Sequence, residues 1–265
     1  MSFFRNKVVW ITGASSGIGE ALTYAFHQRG ANVIISSRRR EALDQVKANC
    51  EGNTDNIHVL PLDLSDPQSL PGKAEEALAL YGHVDYLFNN GGISQRSTAV
   101  ETQLDVTRRV LEINFFGQVA LTKAILPVMM ERKSGHIIVT SSVTGKFGTR
   151  LRSSYAASKH ALHGYYDCLR QEVQDHNIKV TLVCPGYIKT NVTINAVEGD
   201  GSRHGKMGKG QEHGMAASEF AEKLIAKVEQ GKEEVYIGGK EILAIYLKRL
   251  SPALLYRVLS RTEVT

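Results

Sequence analysis

Val8-Val9-Trp10-Ile11-Thr12-Gly13-Ala14-Ser15-Ser16-Gly17-Ile18-Gly19 runs from an apolar stretch into a glycine-rich turn, and residues 17–28 after it read as a helix. Strand, glycine turn and helix in that order are the context a dinucleotide-binding turn requires. The spacing is G-x-x-x-G-x-G rather than G-x-G-x-x-G, so the reading rests on context more than on pattern. Gly13 permits the sharp turn out of the strand, Gly17 lets the backbone approach a pyrophosphate, and Gly19 lets the helix pack close to the sheet. The helix start, with Ser15, Ser16 and Ile18 around it, would face the anion. The competing reading is an ordinary glycine-rich turn.

Outward from that turn, strand-like runs at 8–11, 32–36, 57–62, 86–89, 136–141, 179–184 and 234–237 alternate with helical ones, the first two at 17–28 and 39–49. The alternation predicts a single-domain, Rossmann-like α/β fold over residues 1–265, a doubly wound seven-stranded parallel sheet with helices on both faces. Residues 190–217 break the rhythm, with Gly199, Gly201, Gly205, Gly208, Gly210 and Gly214 and no hydrophobic period. Loops this long are usually functional or disordered, and a mobile lid over a substrate is expected there.

At 265 residues and 42% hydrophobic, the chain can bury a large core. Its 32 basic and 27 acidic residues leave a mild charge of +5, and no aromatic-interleaved basic stretch suggests nucleic acid. Cys50, Cys168 and Cys184 are odd in number and lack metal-ligand spacing, which argues against a disulfide framework or a metal and fits a reducing compartment. Residues 1–7 lead directly into the first strand, leaving no room for a signal peptide or a spanning apolar run; a cytoplasmic location is expected.

Tyr155 and Lys159 stand four apart, and Ser142 lies thirteen residues before the tyrosine. A phenol with a pKa of about 10 is a poor acid–base group near neutrality. Residues at i and i+4 share a helix face, so Lys159 is expected to place its charge beside the phenol and lower its pKa. A shift of three units needs about 4 kcal/mol of differential stabilisation. Tyr-x-x-x-Lys also arises on ordinary solvated helices. Here the pair rides on an apolar helical stretch just after a buried strand whose end, Thr140-Ser141-Ser142, carries hydroxyls where an open sheet places its ligands.

The strand at 32–36 is followed by Ser37-Arg38-Arg39-Arg40. About twenty residues beyond such a turn, an acid selects the NAD ribose, whereas arginine accommodates the NADP 2′-phosphate. Cations at a helix start oppose its dipole by about 0.3–1 kcal/mol each, and a phosphate gives them a partner. NADP(H) is therefore expected, against the alternative of a solvated charge run offset by Glu41 and Asp44.

Taken together, residues 12–19, Asn89-Asn90-Gly91-Gly92, Asn114, Ser142, Tyr155, Lys159 and Pro185-Gly186 resemble the short-chain dehydrogenase/reductase family over nearly the whole chain. Residues 155–160, 167–170, 185–188 and 195–203 resemble more specifically its orphan member 7 and 7B branch. Gly91 stands where the family usually has alanine, and the branch's N-terminal membrane segment is missing. The resemblance implies an NADP(H)-dependent oxidoreductase acting on a carbonyl or secondary alcohol. Tyr155 would be the general acid or base, Lys159 would also hold the nicotinamide ribose, Ser142 would polarise the substrate oxygen, and Asn114 would anchor a proton-relay water. Asp63 and Leu64 would meet the adenine; Asn90, Gly91 and Gly92 would line the adenosine ribose; Pro185, Gly186, Ile188 and Thr190 would close over the nicotinamide. The bland readings are a capping hydroxyl for Ser142, a satisfied core amide for Asn114 and a turn carboxylate for Asp63. The resemblance also implies homodimers or homotetramers, formed through the helices of Asn114 and Tyr155.

On the substrate side, Val143, Phe147, Leu151 and Tyr187 read as an apolar pocket wall suited to a bulky hydrophobic carbonyl. The tail at 241–265 mixes apolar residues with Lys248, Arg249, Arg257 and Arg261. It reads as a cover for the active-site mouth, a subunit contact, or a peripheral membrane helix. Two alternatives compete with the reductase: an NADP(H) sensor or scaffold without turnover, and an extended epimerase or dehydratase. The glycine spacing and the short chain disfavour the second.

Overall fold

The computed structural model describes residues 2–261, apart from the side chain of Lys209; the last four residues of the expected tail lie outside this range. The strands are β1 (Val8–Thr12), β2 (Asn32–Ser36), β3 (Ile57–Val59), β4 (Tyr86–Asn89), β5 (Gly135–Thr140), β6 (Ile178–Pro185), β7 (Ile188–Lys189), β8 (Met215–Ala216) and β9 (Glu234–Ile237). The helices are α1 (Gly17–Gln28), α2 (Arg40–Ala48), α3 (Leu70–Tyr81), α4 (Leu104–Leu111), α5 (Gly117–Arg132), α6 (Ser153–Glu172), α7 (Lys209–Glu212), α8 (Ala217–Glu229), α9 (Leu243–Leu250) and α10 (Pro252–Arg261).

Seven strands form one sheet in the order β3-β2-β1-β4-β5-β6-β9, parallel throughout, as expected. β7 and β8 pair separately. Strands covered on both faces read as unbroken apolar runs, and all five residues of β1 are buried. Val9 and Ile11 join Phe26, Ile35, Phe220 and Leu224 on one face, while Val8 and Trp10 join Leu87, Leu121, Leu162 and Tyr166 on the other. That split follows from the two-residue period of a strand. The buried Trp10 indole donates to Ser36 Oγ at 2.8 Å, so the one polar atom of a large core residue is satisfied.

The strand order reverses between β1 and β4, and the crevice beyond their carboxyl ends is where such sheets bind ligands. There are two local differences from the sequence expectation. β3 runs only as far as Val59, but Leu60 and Leu62 still donate to the Ile35 and Ser37 carbonyls at 3.0 and 3.1 Å, and Pro61 between them turns its nitrogen to the open edge of the sheet, where no ladder bond is lost. Residues 190–217 contain α7 and β8, and Val197 ties their middle to residues 94–96 through two 2.8 Å backbone hydrogen bonds.

The helical run Leu104–Arg132 is long and apolar enough to cross a membrane. Ile113, Leu121, Ile125 and Met129 of that run pack into the core. Between α4 and α5 it widens into a π-helical turn, Glu112–Phe116, in which the Gly117 N–H donates to the Glu112 carbonyl five residues back.

Candidate active site

A cleft of about 1460 Å³ opens at the carboxyl ends of the strands. Gly13, Ser15, Ser16, Gly17 and Ile18 line it. Gly13 and Gly17 take left-handed φ values of 66° and 60°. A Cβ on Gly13 would lie 2.7 Å from Gly91 Cα, and one on Gly17 would lie 2.9 Å from Thr190 Cγ2. Gly19 lies off the cleft wall; a Cβ there would run into the Gly13 carbonyl oxygen, which matches the packing role read for it. Ser16 caps α1 without a side-chain hydrogen bond, so the N–H groups of the first turn lack an internal acceptor beside the cleft.

Thr12 Oγ1 pins this turn to the next one, donating to the Phe88 carbonyl at 3.2 Å and accepting from the Asn90 and Gly91 N–H groups at 3.0 and 2.9 Å. Asn90 returns a bond from Nδ2 to the Thr12 carbonyl at 3.1 Å. Gly91 and Gly92 line the cleft beside it. A Cβ on Gly91 would meet Leu64 Cδ1 at 2.6 Å, so the leucine fills the space that an alanine methyl would need.

At the other end, Ser37, Arg38, Arg39, Asp63 and Leu64 line the same cleft. Arg38 and Arg39 are exposed, and no ion pair among the described residues engages Arg38, Arg39 or Arg40, so the offset by Glu41 and Asp44 is not formed. Asp63 is a turn carboxylate as well as a cleft residue: Oδ1 accepts from the Ser65 N–H and hydroxyl at 2.9 and 2.8 Å. A glycine cradle, open helix-start donors and a large cleft with polar and apolar walls together fit a nicotinamide dinucleotide.

α6 presents Tyr155 and Lys159 to the cleft, and β5 ends in Thr140, with Ser141 and Ser142 just beyond it. Ser142 Oγ accepts from the Thr144 N–H and hydroxyl at 3.1 and 2.9 Å, capping a short 3₁₀ turn and leaving its own proton to donate. The capping and cleft roles therefore coexist. Burial raises the Tyr155 pKa; the Arg152 guanidinium, 5.7 Å from the ring centre, and the Ser142 hydroxyl oppose it. Arg152 and Ser142 thus act on the phenol beside Lys159, the residue expected in that role. Lys159 Nζ also lies 5.7 Å from the ring centre, but it donates to the Thr140 carbonyl at 2.7 Å, and burial brings its own pKa down to about 8.

Asn114 sits fully buried in the π turn rather than on the cleft wall. Its Oδ1 accepts from the Ile93 N–H at 2.8 Å, and its Nδ2 donates to the Ile93 carbonyl and Ser158 Oγ at 2.9 and 3.0 Å. The satisfied core amide is what the side chain forms.

Pro185, Gly186, Ile188 and Thr190 line the cleft opposite the glycine turn. Glu241, unremarked in the sequence, reaches back from the start of the tail: Oε1 accepts from the Tyr187 and Gly239 N–H groups at 2.8 and 2.9 Å. The tail then lines the cleft through Leu247, Leu250, Leu255, Val258 and Leu259, facing Val143 and Phe147. Of the four residues read as a pocket wall, Val143, Phe147 and Tyr187 line it and Leu151 does not; its φ is 63° and its carbonyl accepts from the Ser97 N–H at 3.2 Å. Arg152 also lines the cleft unforeseen, and the nearby cation pattern Arg150-Leu151-Arg152 was its only signal.

The pattern of the short chain dehydrogenase family matches residues 7–201. Dehydrogenase/reductase SDR family member 7B of Mus musculus is 43% identical over 264 residues, covering 98% of this chain and 82% of that protein. A short-chain dehydrogenase from Streptomyces avermitilis superposes with a TM-score of 0.84 at 30% identity, over 99% of this chain and 100% of its own. Two further structures share the fold: one from Burkholderia phymatum in complex with NAD (TM-score 0.82, 20% identity, 96% of each chain) and one from Burkholderia cenocepacia in complex with NADP (0.80, 23%, 98% of this chain and 99% of that one). The resemblance to the 7 and 7B branch holds along nearly the full length. With the glycine-lined cleft, seven parallel strands and these relatives, the chain belongs to the short-chain dehydrogenase family of oxidoreductases.

Proposed function

We propose that the chain is an NADP(H)-dependent reductase or dehydrogenase that interconverts a carbonyl and a secondary alcohol, with an apolar substrate. The observation that carries this reading is the meeting of Tyr155, Lys159 and Ser142 on one wall of a cleft whose far end is the glycine cradle. The bound cofactor supplies or accepts the hydride. Tyr155 gives its proton to the carbonyl oxygen in reduction and removes it from the alcohol in oxidation. Ser142, its lone pairs engaged by Thr144, directs its O–H to the same oxygen. Lys159 would hold the ribose hydroxyls and sets the charge around the phenol; Asn114 holds Ile93 and Ser158 in place and would anchor a relay water.

The preference for NADP(H) is supported by Arg38 and Arg39, two cations on the cleft wall without acidic partners, where a 2′-phosphate would give them one. Apolar substrates are supported by Val143, Phe147 and the tail leucines. Residues 190–217, through Thr190, Asn195 and Arg203, reach over the cleft as a lid. Self-association through α5 and α6 would cover the half-exposed Phe116.

The test is to follow NADPH absorbance across steroid, retinoid, quinone, aldehyde and fatty-ketone panels, with NADH as control. Turnover of apolar carbonyls with NADPH is expected. Saturable cofactor binding without turnover on any panel would replace the reductase with a sensor.

A further inference from the structure

The Tyr155 side of the cleft carries positive charge that forms no ion pair among the described residues. Arg152 lies at the head of α6, lines the cleft and stands over the Tyr155 ring. One donor, Nη1, reaches Ser94 Oγ; the other guanidinium donors have no partner among the described residues. Arg96, two residues after Ser94, is only 9% exposed, and no hydrogen bond or ion pair among the described residues engages its guanidinium. A β-bridge between Ser97 and Arg152 brings the two arginines' backbones together, and burial, with Arg96 after it, pushes the Arg152 pKa down against the opposing effect of Tyr155 and Tyr187. Glu241 is an acid on this wall, but it is committed to the Tyr187 and Gly239 N–H groups and forms no ion pair with either arginine. Burying unpaired charge is costly, and a fold keeps it where a ligand completes the pair.

That ligand is not the cofactor's phosphate. The glycine cradle follows β1 and Arg38 and Arg39 follow β2, whereas Arg152 precedes Tyr155 beyond β5, on the other side of the point where the strand order reverses.

We propose that Arg152, backed by Arg96, is an anion-binding subsite beside Tyr155 that selects substrates bearing a carboxylate or phosphate near the reacting carbon. This rests on the reading of Tyr155 as the proton-transfer residue. Arginine suits the role because its planar fork binds either anion in two-point fashion. With Val143, Phe147 and the tail leucines forming the rest of the wall, the substrate is an amphiphile, charged at one end and apolar at the other.

The test uses ligands that cannot be reduced, so that it is independent of turnover. Binding of octyl phosphate, octanoate and octanol is measured by calorimetry on the full chain saturated with NADP⁺, which keeps the anions out of the cofactor's phosphate sites. The wild type is expected to bind one or both anions about tenfold or more tighter than the alcohol, and the ranking of the two anions identifies which group the subsite takes. Arg152→Met and Arg96→Met should bring the anions down towards the alcohol, and Arg152→Lys should keep part of the preference. Equal binding of all three ligands by the wild type overturns the subsite, and so does a folded Arg152→Met variant that keeps the full preference. If Arg152→Met does not fold, the wild-type comparison alone decides. Failure of the carbonyl panels with the anion preference intact would remove the reductase reading and leave the subsite standing.

Discussion

Lys159 Nζ donates to the Thr140 carbonyl at 2.7 Å while lying 5.7 Å from the centre of the Tyr155 ring, so the last residue of β5 competes with the phenol for the ammonium. Burial brings the Lys159 pKa from 10.5 to about 8, which keeps it charged at neutrality and no further. Reduction needs a protonated Tyr155 and a charged Lys159, and burial already holds the phenol protonated. The rate of carbonyl reduction should therefore fall as pH rises through about 8. In Lys159→Met that inflection should be absent from the pH profile of kcat/KM, over a rate about 10²-fold or more lower.

The same lowered pKa has a stability consequence. A lysine whose folded pKa lies below its unfolded one is penalised in its charged form; the penalty is complete below about pH 8 and fades by pH 10.5. It amounts to about 3 kcal/mol, partly offset by about 1 kcal/mol from the bond to Thr140. Urea melts should thus show Lys159→Met more stable than the wild type at pH 7, with the difference closing as pH rises.

On the proposed NADP(H) reading, Arg38 and Arg39 discriminate between the two dinucleotides. Replacing both with aspartate should lower the NADPH-to-NADH ratio of kcat/KM by about 10- to 100-fold, the worth of one or two charge-assisted hydrogen bonds. NADH turnover should survive, because the glycine cradle does not touch that end.

Two glycines separate a packing demand from a mere preference. In Gly19→Ala the new methyl meets the Gly13 carbonyl, which cannot retreat without moving α1, so a loss of about 2–3 kcal/mol and weaker NADPH binding are expected. In Gly91→Ala the obstacle is a Leu64 methyl at the end of a flexible side chain, so the loss should stay within about 1 kcal/mol. Chemical denaturation and NADPH fluorescence titration measure both.

Glu241 ties the tail to the loop after β6. Glu241→Leu leaves the Tyr187 and Gly239 N–H groups without an acceptor, at about 1–3 kcal/mol, and should raise the KM of apolar carbonyls. Glu241→Gln keeps a neutral acceptor and should restore most of both. Deleting the chain after Gly239 should abolish apolar-substrate turnover, since Leu247, Leu255 and Leu259 wall the cleft, and a parallel loss of liposome cosedimentation would assign a membrane contact to the exposed Leu243, Leu250 and Leu254.

The seven parallel strands were legible because each is a compact apolar run, and the glycines of the first turn because they stand between a strand and a helix; the strand order came from the structure. Tyr155 and Lys159 do share a face of α6, as the i, i+4 rule requires. The direction of the ammonium was hidden, because its acceptor is a backbone carbonyl at Thr140, and backbone acceptors carry no residue signature. Glu241 was invisible for the same reason: its partner is an N–H fifty-four residues away. The pairing of Val197 with residues 94–96 arises only once the chain has folded, so a glycine-rich stretch without period gave no hint of it.

Replacing the Tyr155 hydroxyl is the most direct measurement of whether that phenol moves the proton. Tyr155→Phe should bind NADPH within about threefold of the wild type by fluorescence titration, because the cofactor's affinity comes mainly from the glycine cradle and the arginines. Its single-turnover rate on the best carbonyl should drop by about 10²- to 10⁴-fold. A Tyr155→Phe protein that binds NADPH and reduces that carbonyl at the wild-type rate would show that the proton comes from elsewhere.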